Sequence, residues 1–262
     1  MRNQDSIKSF GKQFLIHGDL DDDYWTSDEM FRDHFPKDFD LNSITDRDVL
    51  EVGSGSGRII KMIARYKPKK IVAVEPSIAL NKLVANTKDV SNLIIENVRG
   101  DKFNTTNNDI VFCLGVLHHI PDANSVVKHI YNALKPGGIF VCWVYGKENQ
   151  ESYVFLQNVL RKITKVTPDF LLNYFSAFLA LLLSIYCRLF RKFSYPMKKY
   201  FENNFMKCNF KMRKYIIFDQ LNPTYSKYYL KNEIESLVLS AGFKILSTTH
   251  RHGYSWTLIS TK

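Results

Sequence analysis

Cysteine is scarce in this chain of 262 residues, and the four that occur, Cys113, Cys142, Cys187 and Cys208, lie far apart. There is no CxxC pair and no histidine cluster beside them, which argues against a zinc site or a disulfide framework and fits a reducing cytosol. The opening MRNQDSIKSFGKQ lacks the basic-then-apolar pattern of a secretion leader, so the cytoplasm is the expected compartment. No period of repeat-protein length is present. Excess charge is missing from most of the chain as well. The formal net charge is +10, yet residues 1–149 carry 19 Lys and Arg against 20 Asp and Glu. Residues 150–216 carry 12 against 3, and residues 217–262 carry 5 against 3. Basic charge confined to one segment points to a local anionic partner or a membrane surface, rather than to a uniformly nucleic-acid-binding protein.

What the chain does have is apolar material, 45% of its residues, enough for one large domain with a full core. From Asp48 onward short β-branched runs alternate with longer helical stretches. DVLEVG, KIVAVE, NLIIENV, DIVFCLG and GIFVCWVYG read as strands; GRIIKMIARY, SIALNKLVANT and ANSVVKHIYNAL read as helices. Fully apolar strands alternating with helices predict a parallel sheet covered on both faces. The helix KNEIESLVLSAGF then leads into KILSTTHRH and YSWTLIST, whose connection is too short for a crossover and predicts an antiparallel hairpin. The expected fold is α/β, a Rossmann-like sheet of seven strands, mostly parallel, closed by a terminal antiparallel hairpin.

The rhythm breaks between Gly146 and about Lys214. Phe155, Leu156, Val159, Leu160 and Ile163 recur at helical spacing, and Thr167-Pro168-Asp169 is a helix start. Behind it Phe170 to Cys187 carries no charge at all. Three regions follow: an N-terminal helical cap over 1–47, an α/β core made of 48–149 and 217–262, and a basic, aromatic-rich helical lid over 150–216. The uncharged run reaches the roughly 18 residues of a membrane span. A single crossing would put the two halves of one sheet on opposite sides of a bilayer, so the run is expected either as a buried lid helix or as an interfacial helix on a membrane.

The loop Glu51-Val52-Gly53-Ser54-Gly55-Ser56-Gly57 ends one strand and opens a helix, and Glu75 ends the next strand. Glycines there let the backbone turn tightly against a ligand at the helix N-terminus, and the acid can accept ribose hydroxyls. Both features suit any adenosine ligand. A dinucleotide fingerprint, however, is spaced GxGxxG, whereas this loop is GxGxG with Glu51 ahead of it. A carboxylate there would repel a pyrophosphate but could hold the ammonium of an amino-acid moiety.

VLEVGSGSGR, IVAVEPS, Arg99-Gly100-Asp101, DIVFCLGVLHHIPD and LKPGGIFV, in that order across residues 48–145, resemble the motifs of class I S-adenosylmethionine-dependent methyltransferases. The resemblance implies S-adenosylmethionine as cofactor and S-adenosylhomocysteine as product. It places Gly53, Gly55 and Gly57 against the methionine part with Glu51 nearby, and Glu75 with Pro76 at the ribose. Asp101 would take the adenine amino group, with Lys102 and Phe103 beside the ring. Leu114 and Gly115 would touch the methionyl end. Phe10-Gly11-Lys12-Gln13 is similar to an FGxQW element in which Gln13 helps to close over the cofactor, although Phe14 stands here in place of Trp.

Methyl transfer to a hydroxyl needs positioning and a general base. The fourth strand lacks an [N/D]-P-P-[Y/F] motif, which counts against methylation of exocyclic amines. His118 and His119 sit where the acceptor should arrive, one as base and one packing the loop, with His118 the expected base. At the hairpin tip His250 and His252 are further catalytic candidates, and Arg251 and Tyr254, with Tyr24 and Tyr145, are the substrate set. FDQLNPTYSKYY and HRHGYSW resemble a subgroup encoded with bacterial surface-polysaccharide (capsule or O-antigen) genes. That implies O-methylation of a small anionic acceptor, a sugar or nucleotide-linked sugar, in agreement with the basic insertion. The alternatives are a lipid acceptor at the membrane surface, with peripheral contact at the inner membrane through 167–200, and an RNA methyltransferase or RNA-binding module. No nucleic acid and no metal are expected.

Overall fold

A computed structural model describes residues 2–164, 166–195 and 197–262, with side chains from Ser6 onward. Seven strands form one sheet in the order β3-β2-β1-β4-β5-β7-β6. β1 (Asp48–Val52), β2 (Lys70–Val74), β3 (Leu93–Glu96), β4 (Asn108–Leu114) and β5 (Leu134–Tyr145) are parallel. β7 (Ser255–Thr261) runs antiparallel between β5 and β6 (Lys244–Arg251), so the closing hairpin folds back into the sheet as the sequence predicts.

The strands read as unbroken apolar runs because both faces are covered. Leu50, Val52, Val72, Val74, Val111 and Cys113 point to one side, under helices α5 (Ala123–Ala133) and α10 (Lys231–Ser240). Their neighbours Val49, Ile71, Ala73, Ile110 and Phe112 point to the other, against α3 (Arg58–Ala64). Residues two apart share a face of a strand, so each strand feeds both cores. The second core also takes Phe31, Phe35, Leu41 and Ile44, around α2 (Asp28–Arg32). Of the first 47 residues α1 (Arg2–His17) stands over the glycine loop and Gly18 packs on Ser56, while much of the rest builds the sheet's own core.

The insertion consists of α6 (Glu151–Thr164), α7 (Asp169–Leu189), α8 (Lys198–Asn203) and α9 (Phe210–Leu221). α9 continues to Leu221, so the boundary expected at 216 falls inside a helix. α7 and α9 pack through Leu172, Ala180, Met212, Ile216 and Ile217 into a separate apolar cluster. The expectation of a buried lid helix is corrected here. α7 buries a stripe containing Ser176, Ala180, Ser184 and Cys187 and leaves most of its large apolar side chains outside. Small residues on one stripe let it approach α9 closely, and the bulky ones have nowhere to go but outward.

Candidate functional site

A cavity of about 410 Å³ opens at the carboxyl ends of the parallel strands and runs from the glycine loop into the insertion. The loop geometry is dictated by glycine. Gly53 has φ +85°, and a Cβ there would stand 2.4 Å from Val116 Cγ2, so only a residue without a side chain lets the two turns pass. The Gly55 N–H donates to Glu75 Oε2 at 2.7 Å and the Ser77 N–H to Oε1 at 3.0 Å. Two backbone donors thus fix a buried carboxylate at the end of β2, on the cavity wall.

Glu51, at the same end of β1, is buried on the cavity wall, and its Oε2 has no hydrogen-bond partner. Burial pushes its carboxyl up to about 8. A buried carboxylate oxygen without a partner is costly unless a ligand supplies a donor. An ammonium meets that demand, so these residues fit the amino-acid end of S-adenosylmethionine. Gly53, Gly55, Pro76, Asp101, Leu114 and Gly115 line the same half of the cavity. Asp101 there accepts a bidentate pair from Arg99, 3.0 Å on each side.

Four cofactor expectations are placed elsewhere. Gly57 caps α3 at φ +87°, where a Cβ would strike Thr87 and Leu83; its role in this structure is helix packing, off the cavity. Lys102 lies outside the lining. Phe103 is buried in the core, edge-on to His129 at 4.3 Å. Gln13 points away from the loop: its Nε2 donates to Asp219 Oδ1 (2.5 Å) and to the Tyr215 hydroxyl (3.2 Å), and its Oε1 accepts from Asn222 (2.8 Å). Phe10 and Phe14 of the same helix take the cover position, the Phe14 ring lying over Gly55.

The two adjacent histidines differ in access to the cavity. His118 is fully buried, its ring 3.9 Å from that of Tyr145 and 4.1 Å from that of His119, and it does not line the cavity. Neither of its ring nitrogens has a hydrogen-bond partner, and burial holds it neutral. His119 lines the cavity. Its Nδ1 stands 3.1 Å from the Tyr225 carbonyl oxygen, which can only accept, so Nδ1 carries the proton and Nε2 offers a lone pair. Burial pushes His119 down to about 3, which makes that lone pair a weak base.

The hairpin tip is a clasp rather than a free catalytic cluster. Arg251 pairs with Asp33, bonds the Tyr254 hydroxyl and donates through Nε to the Asp33 carbonyl at 2.6 Å. His252 Nε2 meets the other oxygen of Asp33 at 2.8 Å. Burial works against a charged Asp33, yet the His252 hydrogen bond and the Arg251 charge hold its carboxyl well below the ordinary range. Arg251 and Tyr254 reach the cavity wall, but Arg251 arrives already neutralised. His252 and His250 do not line it; His250 stacks on Trp256 at 4.1 Å. Tyr24 is likewise outside, donating to the Asn203 carbonyl (2.6 Å) and to Asn204 Oδ1 (3.0 Å).

Tyr145 does line the cavity and leads to residues the motifs did not name. Its hydroxyl accepts from Gln220 Nε2 at 2.6 Å and donates to Asp219 Oδ2 at 3.4 Å. Asp219 and Gln220 line the same cavity from α9. Burial raises the Asp219 carboxyl, opposed by Gln13, Tyr145 and the charges of Arg161 and Arg58. One signal could have found it, because Asp219 is the lone acid between Glu202 and Glu233. Around it Leu160, Leu179, Leu183, Phe201, Phe205 and Ile216 give this half of the cavity an apolar wall.

Residues 50–140 match a family described as a methyltransferase domain. Over 133 residues the chain is 29% identical to the ubiquinone biosynthesis O-methyltransferase of Acinetobacter baumannii (strain ACICU), covering 47% of this chain and 55% of that protein. It is 30% identical over 125 residues to the tRNA U34 carboxymethyltransferase of Campylobacter curvus (strain 525.92), covering 46% and 42%. The chain thus spans about half the length of these curated relatives. An S-adenosylmethionine-dependent methyltransferase structure from Mesorhizobium loti superposes with a TM-score of 0.52 over 90% of this chain and 98% of that one, at 12% identity, a likeness of fold alone. Sheet order, glycine loop and domain match agree: residues 50–140 match a methyltransferase domain, and S-adenosylmethionine is the cofactor that such a domain implies.

Proposed function

We propose that the chain methylates an oxygen of a small hydroxylated acceptor whose body is apolar, with Asp219 receiving the hydroxyl proton. The observation that carries this reading is one cavity lined by Glu51 and Glu75 and by the half-buried Asp219. When bound, the cofactor supplies an electrophilic methyl on sulfur, and the chain's own residues do the rest. Glu51 and Glu75 hold the ammonium and the ribose. Phe10 and Phe14 exclude water from the loop. Asp219, held by Gln13 and Tyr145, is made more basic by burial, whereas burial weakens His119 as a base.

The lining of the acceptor half favours an apolar body over the anionic surface-polysaccharide precursor that the subgroup resemblance implies. Arg251 is paired with Asp33, and Arg161, which donates to the Gln220 carbonyl and the Tyr228 hydroxyl, does not line the cavity. Arg58 remains, stacked over Trp25 at 4.4 Å, and suits one polar substituent on an otherwise apolar acceptor. A relative named for ubiquinone biosynthesis agrees with that choice. The test is methyl release against a panel of alkylated phenols, nucleotide sugars and transfer RNA. Turnover is expected with phenols, falling about 100-fold or more in Asp219→Asn while calorimetric S-adenosylhomocysteine affinity persists. Turnover confined to nucleotide sugars or RNA, or a fully active Asp219→Asn, overturns the acceptor reading. Absence of cofactor binding overturns the whole.

A further inference from the structure

α6 and α7 are built with their polarity reversed. α6 turns Gln157, Arg161 and Thr164 inward, where Arg161 donates to the Gln220 carbonyl (2.8 Å) and Thr164 to the Leu221 carbonyl (2.7 Å). Its outward face carries Phe155, 72% exposed, with Leu156, Val159 and Ile163. α7 exposes Tyr174 (72%), Phe178 (57%), Leu182, Ile185 and Leu189 (71%). It is the one helix among the described residues long and apolar enough to cross a membrane, yet only 28% of its apolar window is buried. Exposed apolar side chains in this number mark an interaction face rather than ordinary solvent-exposed protein.

The occupant is indicated by charge. Arg188, Arg191 and Lys192 stand at and just after the C-terminal end of α7 and Lys199 on α8, all exposed, and none makes an ion pair among the described residues. Apolar side chains rimmed by unpaired cations complement an anionic phospholipid surface, whose acyl boundary takes the first and whose headgroups take the second. Crossing is excluded, because β5 before the helix and β7 after it pair directly, Tyr145 opposite Ser255. We infer that α6 and α7 lie flat on an anionic membrane, with their apolar faces at the acyl boundary. The inference rests on the proposed reaction and deepens it. Leu160 of α6 and Leu179 and Leu183 of α7 line the acceptor half of the cavity, so the helices that meet lipid on one side wall the acceptor on the other. An apolar acceptor dissolved in the bilayer would then reach Asp219 without passing through water.

The test is flotation of the full chain with vesicles of phosphatidylcholine alone and with about a third phosphatidylglycerol added. The wild type is expected to float with the anionic vesicles, about tenfold less with phosphatidylcholine alone, and less as salt rises. Phe178→Asp/Leu182→Asp should abolish flotation with S-adenosylhomocysteine affinity unchanged. Arg188→Glu/Arg191→Glu/Lys192→Glu, entirely on the surface, should lower anionic-vesicle binding at least about tenfold. Wild type that stays unbound with both vesicles, or flotation indifferent to both variants, overturns the inference. So does a dimer in light scattering that Phe178→Asp/Leu182→Asp splits while neither form floats, because a second copy then covers the face. No acceptor or turnover enters these measurements, so they fail or succeed independently of the methyl-release panel.

Discussion

Gln13 Nε2 donates to Asp219 Oδ1 across 2.5 Å and joins the chain's first helix to the last helix of the insertion. The two residues are 206 positions apart, and their bond ties α1 to α9 while giving a half-buried carboxyl a donor. It also turns Gln13 toward α9, whereas the FGxQW likeness places it on the cofactor.

Gln13→Ala is therefore expected to act on stability before it acts on cofactor binding. Asp219 loses a donor in a half-buried position, a deficit of about 1 kcal/mol. For a chain of this size that lowers the unfolding midpoint by roughly 2–4 °C per kcal/mol. S-adenosylhomocysteine affinity should hold. Thermal scans with calorimetry check both quantities. A variant that unfolds like the wild type but binds S-adenosylhomocysteine poorly would return Gln13 to the cofactor.

Glu51 makes cofactor binding proton-linked. With its carboxyl pushed up to about 8 by burial, most of it is protonated at pH 7 in the free protein. An ammonium beside it favours the charged form and lowers that value, so binding must release protons. The sign follows: affinity for S-adenosylhomocysteine rises as pH climbs from about 6 toward 8, where the ligand's own amine begins to lose its charge. Titrations at pH 7 in buffers of different ionisation enthalpy should count close to one proton released. Glu51→Gln should release none and bind more weakly. Equal heats in both buffers for the wild type would show that the Glu51 carboxyl does not meet the ammonium.

The parts of this molecule legible in its sequence are those where local chemistry has one solution. Val49–Val52 and Ile110–Leu114 read as strands buried on both faces because no other element hides an unbroken apolar run so short. Gly53 reads as a tight turn because its neighbour Val116 leaves no room for a Cβ. The insertion was legible in period but not in direction. Phe155, Leu156, Val159 and Ile163 mark a stripe on α6, and periodicity says only that the stripe exists. Which side faces inward is decided by α9, whose terminal carbonyls at Gln220 and Leu221 need donors and draw Arg161 and Thr164 toward them. Asp219 escaped notice for a related reason: its partners, Gln13 and Tyr145, come from distant segments and meet only in the fold. The histidine pair was legible as a pair. Adjacent residues of a single 3-10 turn point in different directions, and sequence does not say which one reaches the ligand.

That pair supplies the sharpest separation between the sequence expectation and the structure. His118 is buried among His119, Trp143 and Tyr145 with both ring nitrogens unpartnered. A buried polar group without partners destabilises the fold, and replacing it by an apolar group of similar shape is neutral or favourable. His118→Phe is therefore expected to keep or raise the unfolding midpoint, leaving S-adenosylhomocysteine affinity and turnover on any acceptor found near wild type. His119→Phe removes the Nδ1 bond to the Tyr225 carbonyl, so it should lower the midpoint and disturb the cavity. Thermal scans and methyl release on the two variants in parallel decide the matter. If His118→Phe is the variant that loses turnover while still folding, His118 is the base after all, and the loop carrying it must open in the working enzyme.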